Sequence, residues 1–459
     1  MSGLEQARAR MLDAGVHPKA IDVFAAFYAQ LAEGATGMMR EADVEPLDGL
    51  PHASMVSVTD QQVREAAATT VVIKLNGGLG TSMGLDQAKS LLQVRPGMTF
   101  LDIIVQQVRA VRASLGVELP VLFMNSFRTR DDTLAALATY SDLAVGDLPL
   151  DFMQSLEPKL RRDDLTPVRW PADPSLEWCP PGHGDLYTSL DATGILDELI
   201  ARGYRYATVS NSDNLGAAPD PHMMAWFAST GAPYAAEVCR RTPADVKGGH
   251  LVVRRSDGRL VLRESAQIPP EDVEAASDLT RHRYFHTNNL WFDLHALRDR
   301  LTERGGVLGL PLIRNLKTVD PADPTSTPVV QIESAMGAAV EVFAGATAIE
   351  VDRARFLPVK TTNDLLLVRS DVYGVGTDGV VRAQVDAPLV DLDRRFYTTI
   401  ADFDARIPSP PSLADARSLT VRGDWRFGRD VVVVGDVTLD DSGDAQSVAA
   451  GERLVGRLG

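Results

Sequence analysis

The sequence contains very little cysteine, with only Cys179 and Cys239 in 459 residues. Two cysteines in so long a chain form neither a disulfide framework nor a cysteine-rich metal cluster, so we expect reduced thiols and a cytoplasmic protein. No apolar run approaches the ~20 residues that a membrane-spanning helix needs. The first residues, MSGLEQARARMLDAG, lack a basic stretch followed by an apolar core, so we expect no secretory signal and no membrane partner.

Positive charge is also scarce, because 46 basic side chains face 62 acidic ones and the net charge is −16. An acidic chain of this kind is poorly suited to nucleic acid or to anionic membranes, so we expect no nucleic-acid partner. Any anionic substrate would need locally placed cations or backbone amides. The remaining composition, 45% hydrophobic and 24% charged, is typical of a globular protein that is long enough for two or three domains.

Three regions differ in their sequence pattern. Residues 1–58 predict a helical segment, with two helices between 4 and 35 that are broken at His17-Pro18. Residues 59–375 alternate strand-like and helix-like stretches, which predicts an α/β domain built on a parallel sheet with helices on both faces. Residues 376–459 carry short Val, Leu and Ile runs between Asp, Gly and Pro. That texture predicts a small all-β domain resembling a short parallel β-helix.

Within the middle region, individual elements can be placed from residue periodicity. Strands are expected at 70–73, 121–124, 204–210 and 234–240, and helices at 100–111, 129–140 and 219–229. The Asp257-Gly258 pair lies between two β-branched runs, which predicts a hairpin from 251 to 263.

The most informative stretch is a glycine-rich loop that follows a buried strand. The sequence VVIKLNGGLGTSMG at 71–84 carries four glycines and is followed by Lys89-Ser90. Glycine lets the backbone approach a ligand and point N–H groups at it, and a nucleotide binds at the carboxyl end of strands in α/β sheets. The spacing G-x-G-x-x-x-G excludes the dinucleotide fingerprint, and Ala88 before Lys89 excludes a P-loop. The alternative is a tight glycine turn that binds nothing.

The same loop resembles the signature of the eukaryotic-type UTP–glucose-1-phosphate uridylyltransferases, the UDP-glucose pyrophosphorylase family. Further segments resemble that family in the same order along the chain: MNSF at 124–127, PPGHGDLY at 180–187, SNSDNLGA at 210–217, ADVKGGHL at 244–251, TNNLW at 287–291, QIESAMGAA at 331–339 and FLPVKTTNDLL at 356–366. The resemblance implies a Rossmann-like, GT-A-like nucleotidyltransferase domain with a mixed sheet. It also implies a helical N-terminal part and a C-terminal β-helix.

The resemblance also implies a set of ligand-binding residues. Those expected at the nucleotide are Leu75, Asn76, Gly77, Gly78, Gly80, Thr81, Met124, Gln154 and Gly182. Those expected at the sugar are His183, Asn211, Glu264, Asn288 and Asn289. The amide of Gln154 can both donate and accept, as a uracil edge requires. Short amides and carboxylates suit the recognition of sugar hydroxyls.

Three residues would act in catalysis by the same resemblance. Asp213 follows a strand and would hold Mg²⁺, whereas an isolated Asp there is more often a cap or turn residue. Lys89 and Lys360 would neutralise phosphates, although a lone lysine is usually a solvated surface charge, and Lys247 is a weaker candidate. The implied reaction joins UTP to glucose 1-phosphate and releases pyrophosphate, without a protein nucleophile.

Several alternatives stay open at this point. Ala88 and Arg128 depart from the proline and asparagine of many relatives, which could shift substrate preference. The same chemistry could use another NTP, or another sugar or cyclitol 1-phosphate. A glycosyltransferase is disfavoured, because Asn211-Ser212-Asp213 replaces the usual D-x-D triplet. A non-catalytic nucleotide-sugar binding protein is the alternative from another class. The oligomeric state, monomer or homo-oligomer, is not fixed by the sequence.

Overall fold

The N-terminal part of the chain is helical. The computed structural model describes residues 2–242, 245 and 248–457. The N-terminal part begins with α1 (Gly3–Asp13) and α2 (Pro18–Ala32), which are followed by β1 (Val44–Pro46). Helix α2 starts at Pro18 with His17 as its N-cap, because proline at the first helical position needs no partner for a backbone N–H. The prediction of two helices broken at this dipeptide is confirmed.

The rest of the described chain alternates helices and strands. The helices are α3 (Asp60–Ala68), α4 (Phe100–Leu115), α5 (Arg130–Leu137), α6 (Asp185–Ala192), α7 (Ile195–Ala201), α8 (Pro221–Thr230), α9 (Val273–Ser277), α10 (Leu294–Glu303), α11 (Thr362–Arg369), α12 (Arg394–Tyr397) and α13 (Ile400–Arg406). The strands up to the end of the middle region are β2 (Thr70–Asn76), β3 (Gln93–Arg95), β4 (Met98–Thr99), β5 (Val121–Asn125), β6 (Asp151–Met153), β7 (Glu157–Pro158), β8 (Leu160–Arg161), β9 (Trp178–Cys179), β10 (Tyr206–Asn211), β11 (Tyr234–Arg240), β12 (His250–Arg254), β13 (Leu260–Arg263), β14 (Tyr284–Asp293), β15 (Ile313–Thr318), β16 (Pro328–Glu333), β17 (Thr347–Glu350) and β18 (Tyr373–Val375). The later strands are β19 (Val381–Ala383), β20 (Leu389–Leu392), β21 (Ser412–Val421), β22 (Trp425–Phe427), β23 (Val432–Leu439), β24 (Gln446–Val448) and β25 (Arg453–Val455).

A seven-stranded sheet forms the centre of the molecule, in the order β17-β11-β14-β10-β2-β5-β6. Strand β14 runs antiparallel to both of its neighbours, and the other strands run parallel to one another. The sheet is therefore mixed, as the family resemblance implies. The parallel sheet expected from the alternating pattern is interrupted at β14, because strand direction depends on how the chain returns to the sheet and not on the composition of the strand.

Hydrophobic cores cover both faces of this sheet. In β2, Val71 and Ile73 point into a core shared with α2, α6, α7 and α10, while Val72 points into a second core with α3, α4 and α8. Successive side chains of a strand face opposite sides, so a strand buried on both faces is apolar throughout. The predicted helices on both faces are confirmed, and so is the hairpin, in which β12 pairs antiparallel with β13.

The C-terminal part contains parallel strands and two short helices. Strands β20, β21, β23 and β25 form a four-stranded parallel sheet, and β22 pairs parallel with β24. The expectation of an all-β region is wrong at α12 and α13. These helices are set by caps, since the side chains of Asp393 and Thr399 accept hydrogen bonds from Arg395 N and Asp402 N. The domain boundaries at 58/59 and 375/376 stay a prediction.

Among the helices that the structure describes, none combines the length and the apolar character that crossing a membrane would require.

Candidate active site

The carboxyl ends of three neighbouring parallel strands meet at one edge of the central sheet. Leu75 in β2 pairs with Met124 in β5 on one side and with Asn211 at the end of β10 on the other. Because the strands are parallel, the loops that follow them leave from the same edge, where ligands bind in α/β folds. The glycine loop after β2 and the loop carrying Asp213 after β10 therefore lie side by side.

A pocket of about 290 Å³ opens at this edge. Its lining consists of Leu75, Gly77, Gly78, Lys89, Met124, Gln154, Pro180, Gly182, His183, Asn211, Ser212 and Asp213. All of these except Pro180 and Ser212 are candidates named from the sequence. They come from segments as far apart as β2 and the loop before α6, so the fold brings together residues that the sequence separates widely.

One end of the pocket is built from tightly packed glycines around Gln154. The Nε2 atom of Gln154 donates to the carbonyl oxygen of Gly182 at 2.9 Å. A Cβ atom on Gly77 would lie 2.8 Å from Oε1 of Gln154, and one on Gly182 would lie 2.5 Å from the carbonyl oxygen of Ser334. Gly182 also has φ = +78°, a conformation that favours glycine. The amide of Gln154 is thus held in one orientation at the pocket wall.

His183 lies next to this end and is held in one tautomer. Its Nδ1 atom accepts a hydrogen bond from Met336 N at 2.9 Å, and burial lowers the pKa of His183 to about 4. The ring is therefore neutral at physiological pH and carries its proton on Nε2. A neutral Nε2–H donor suits a ligand hydroxyl or phosphate oxygen without adding a charge to the site.

The opposite end of the pocket carries charge. The Nζ atom of Lys89 lies 2.7 Å from Oδ2 of Asp213 and also donates to the carbonyl oxygen of Val359. Lys89 reaches this position because the glycine loop turns back on itself, with Lys89 N donating to Gly78 O at 3.1 Å. The side chains of Lys89 and Asp213 are 14% and 22% exposed, so a ligand in the pocket can contact both.

A metal ion could be held at this end through Asp213. In the part of the chain that the structure describes, no group of three or more His, Cys, Asp or Glu side chains is placed to bind a metal. A single carboxylate nevertheless fits Mg²⁺, which is commonly bound by one or two carboxylates together with substrate phosphates and water.

Comparison with known proteins shows the family to which this chain belongs. A family model described as UTP–glucose-1-phosphate uridylyltransferase matches residues 21–434 of this chain. The chain belongs to that family. A probable uridylyltransferase of this name from Schizosaccharomyces pombe is 41% identical over 373 residues, which cover 80% of this chain and 72% of the relative. The Solanum tuberosum enzyme is 42% identical over 375 residues, which cover 80% and 76%.

Solved structures of the uridylyltransferase family share the fold closely. A variant of the Leishmania major UDP-glucose pyrophosphorylase in complex with UDP-glucose superposes with a TM-score of 0.92 at 39% identity, covering 100% of this chain and 99% of that one. The Trypanosoma brucei UDP-glucose phosphorylase gives a TM-score of 0.89 at 40% identity, covering 99% and 100%. The mixed sheet described above is thus the fold of this family.

Two of the amides predicted for this site, Asn76 and Asn289, are buried and do not line the pocket. Asn76 is buried, donates to Asn125 Oδ1 and Thr133 Oγ1 at 2.8 and 2.9 Å, and accepts from Ser212 Oγ at 3.0 Å. Asn289 is buried as well, donates to Glu237 Oε2 and to the carbonyl oxygen of Arg355, and accepts from Asn214 Nδ2. Both side chains thus make hydrogen bonds within the protein, and their expected contact with the ligand stays a prediction.

Other candidates lie outside the pocket lining. Gly80 and Thr81 belong to the outer part of the glycine loop, and Asn288 is partly buried with φ = +60°. Lys360 is exposed and lines a neighbouring cavity of about 600 Å³. Burial raises the pKa of Glu264, and the positive charge of Lys360 opposes that rise. Lys247 lies outside the described residues.

Sequence reasoning missed a buried cation at the base of the site. Lys74 in β2 is 1% exposed, and its Nζ atom donates to Ser210 Oγ at 2.7 Å and to the carbonyl oxygen of Ala217 at 2.8 Å. Burial lowers the pKa of Lys74 to about 7, with the charge of Arg355 acting in the same direction. It joins β2 to the loop that carries Asp213. The signal in the sequence was a lysine inside the apolar strand VVIKLN.

Proposed function

We propose that the protein transfers the uridylyl group of UTP to the phosphate of glucose 1-phosphate, giving UDP-glucose and pyrophosphate. The observation that carries the proposal is the pocket itself. One end presents the fixed amide of Gln154, and the other presents the Lys89–Asp213 pair, in a member of the uridylyltransferase family. The structurally similar Leishmania major protein is in complex with UDP-glucose.

In this proposal the uracil base lies at the glycine-walled end. Gln154 would read the base edge, since an amide offers one donor and one acceptor side by side. Leu75 and Met124 would pack against the uridine, and Gly77, Gly78 and Gly182 would let the ligand approach the backbone. At Gly77 and Gly182 a Cβ atom would meet Gln154 and Ser334, so glycine lets these protein groups pack closely at the nucleotide's end of the pocket.

The sugar would extend past His183 toward the region of Glu264 and Asn288. The Nε2–H group of His183 would donate to a sugar or phosphate oxygen, and Asn211 would contact a hydroxyl from the end of β10. A buried polar group that pairs with a hydroxyl disfavours a sugar that lacks the partner. This arrangement accounts for a preference among sugar 1-phosphates.

The reaction needs alignment and charge neutralisation from the protein. A phosphate oxygen of glucose 1-phosphate attacks the α-phosphorus of UTP, and the bond from that phosphorus to the pyrophosphate oxygen breaks. Lys89 would stabilise the negative charge of the phosphates, and Lys360 would add a second positive charge from the neighbouring cavity. Asp213 would hold Mg²⁺, which when bound supplies further neutralisation of phosphate charge.

We also propose a C-terminal β-helix-like domain and a cytoplasmic location. The parallel pairing of β20, β21, β23 and β25 supports a small β-helix-like domain in residues 376–459. Both cysteines are buried and free, which supports a location in the reducing cytoplasm.

Pyrophosphate release tests the proposed function. Purified protein with Mg²⁺ is offered each of the four common NTPs with each of a panel of sugar 1-phosphates. We expect rapid release only with UTP and glucose 1-phosphate, and loss of that release in Asp213→Ala. Asp293→Ala is the matched control, because Asp293 ends β14 at the opposite edge of the sheet.

Two results would count against this proposal. Turnover with a different pair would replace the substrates while keeping the chemistry. No turnover with any pair, together with tight binding of UDP-glucose, would leave a binding protein instead of an enzyme.

A further inference from the structure

A fully buried carboxylate lies in strand β11, which β14 separates from β10 in the central sheet. Glu237 is 0% exposed, and its oxygens accept hydrogen bonds from Arg355 Nε and Nη2 at 2.7 and 2.8 Å, from Asn289 Nδ2 at 3.1 Å and from Trp291 Nε1 at 3.0 Å. Although burial alone would raise the pKa of Glu237, the charge and hydrogen bonds of Arg355 hold it below its usual value. Glu237 therefore stays ionised, and its partners are fixed around it.

Glu237 faces an irregularity in the neighbouring strand. The pairing of β11 with β14 shifts between Ala236, opposite Leu290, and Val238, opposite His286. The residues 287–289 therefore face Glu237 alone, and the backbone oxygen of Glu237 accepts from Thr287 Oγ1 at 2.8 Å. Asn288 sits at the centre of this bulge with φ = +60°. Bulges of this kind redirect a side chain beside a site, and here the redirected side chain is that of Asn288.

The same network reaches the loop of Asp213. The carbonyl oxygen of Arg355 accepts from Asn289 Nδ2 at 3.1 Å and from Asn214 Nδ2 at 3.2 Å. Asn214 follows Asp213 directly, and its Oδ1 atom accepts from Leu357 N at 2.8 Å. Three segments thus meet at the Glu237–Arg355 pair: the bulge, the Asp213 loop and the stretch that leads to Lys360.

We propose that Glu237 and Arg355 are positioning residues that hold Asn288, Asp213 and Lys360 at fixed mutual distances for transfer. The inference rests on the proposed function of the pocket. Neither residue lines the pocket, so neither touches substrate there. A buried ion pair contributes little net stability compared with well-packed apolar residues, whereas a fully satisfied polar network specifies one arrangement. Alignment of two polyanions is the main task of the protein in such a reaction.

A double variant that removes both charges of the Glu237–Arg355 pair separates an effect on positioning from an effect on folding. Glu237→Gln leaves the buried Arg355 with only the Asp220 carboxylate, at 3.8 Å, and is expected to lower the melting temperature. Glu237→Gln/Arg355→Gln removes both charges and keeps amides that can bond to each other, so the melting temperature should recover. Glu177→Gln is the matched control, because Glu177 is also buried and paired with an arginine, Arg10, and neither of the two lines the pocket.

In the double variant we expect kcat to change much more than KM. We expect kcat to fall on the order of 100-fold, because small misplacements have effects of that size. The KM for UTP should change by less than about threefold, because Leu75, Gly77 and Gln154 do not contact the pair. Asn214→Ala, which cuts the link to Arg355 while leaving the ion pair intact, should show the same split even if the double variant fails to fold.

A second readout does not depend on turnover. Amide hydrogen exchange at 211–217, 286–290 and 355–360 should rise in the double variant and stay unchanged in Glu177→Gln. A double variant that regains both melting temperature and kcat, or that exchanges like the wild type in these segments, would overturn the inference. A wild-type protein that releases no pyrophosphate would overturn the proposed function, and the exchange result would still decide whether the pair orders these segments.

Discussion

Lys89 and Asp213 contact each other directly, and the proposed reaction needs both of them at the phosphates. If Lys89 neutralises the charge that develops during transfer, Lys89→Met should lower kcat roughly 10²–10³-fold, the usual effect of removing one such group. Pyrophosphate release at saturating UTP measures this effect, with Lys317→Met, on the exposed part of β15, as control. A wild-type rate in Lys89→Met would remove Lys89 from the mechanism.

The backbone of Gly182 offers a second prediction at the residue scale. Gly182→Ala adds a Cβ atom 2.5 Å from Ser334 O at a positive φ, whereas Gly203→Ala adds one at φ = +88° with no neighbouring atom within 4 Å. Both variants should lose roughly 1–3 kcal/mol from backbone strain. Only Gly182→Ala should also weaken UDP-glucose binding, because Gly182 O holds Gln154. Calorimetric titration and thermal unfolding would show the difference, and equal binding losses in the two variants would contradict it.

Whether a site residue could be predicted from the sequence depends on where its side chain points in the fold. Lys89, Gln154, Gly182 and Asp213 lie in ordered motifs, and the structure brings them to one pocket. Asn76 occupies a motif too, but its side chain points into the protein, and motif membership does not show which way a strand residue faces. Lys74 carried a signal of its own, as a charge inside an apolar run.

At the scale of elements, helix α2 packs a periodic apolar face against the central core. Phe24 is 2% exposed on that face, whereas Leu12 at the end of α1 is 58% exposed. Phe24→Ala should lower the free energy of unfolding by about 3–5 kcal/mol, since it leaves a cavity in a closed core. Leu12→Ala should change it by less than about 0.5 kcal/mol. Chemical denaturation measures both, and similar losses would show that α2 is not docked on the core.

Elements with strong periodicity were predictable, and those defined by pairing were not. The helix expected at 100–111 is α4, and the strand expected at 204–210 is β10, each within a few residues. Strand β14 shows why elements defined by pairing could not be predicted. Its direction and its bulge at Asn288 depend on β10, β11 and Glu237, which lie far away in sequence. The short helices α12 and α13 were missed because caps, not periodicity, encode them.

At the scale of the whole molecule, buried histidines couple stability to pH. Burial lowers the pKa of His183 and of His286 to about 4. In the unfolded chain these rings take up a proton near pH 6.5, so between about pH 6.5 and 4 the unfolded state binds more protons. Their contribution to stability is therefore complete above pH 6.5 and is lost as the pH falls to about 4. Asp185, whose pKa burial raises to about 6, acts in the opposite direction over part of this range.

Denaturation across this range tests the coupling. His286→Gln should flatten the fall of the unfolding free energy between pH 6.5 and 4, because the glutamine does not titrate. His222→Gln, at an exposed ring, is the matched control. The same slope in both variants would mean that His286 does not contribute.

The cores also explain why domain limits were hard to read from the sequence. The hydrophobic cluster beneath the C-terminal strands, which includes Leu413 and Val433, also contains Met83 from the glycine loop and Val359 from the segment before Lys360. A change of sequence texture near residue 376 marks where strands become shorter. It does not reveal that side chains from both sides of that point share one core.

The central claim is that the pocket between Gln154 and Asp213 joins UTP to glucose 1-phosphate. The most direct measurement is ³¹P NMR of the two substrates with Mg²⁺ and the purified protein. We expect the signals of UDP-glucose and pyrophosphate to grow together in equal amounts, with no orthophosphate, and Asp213→Ala to abolish both. Orthophosphate or UMP in place of UDP-glucose, or an unchanged spectrum, would contradict the account.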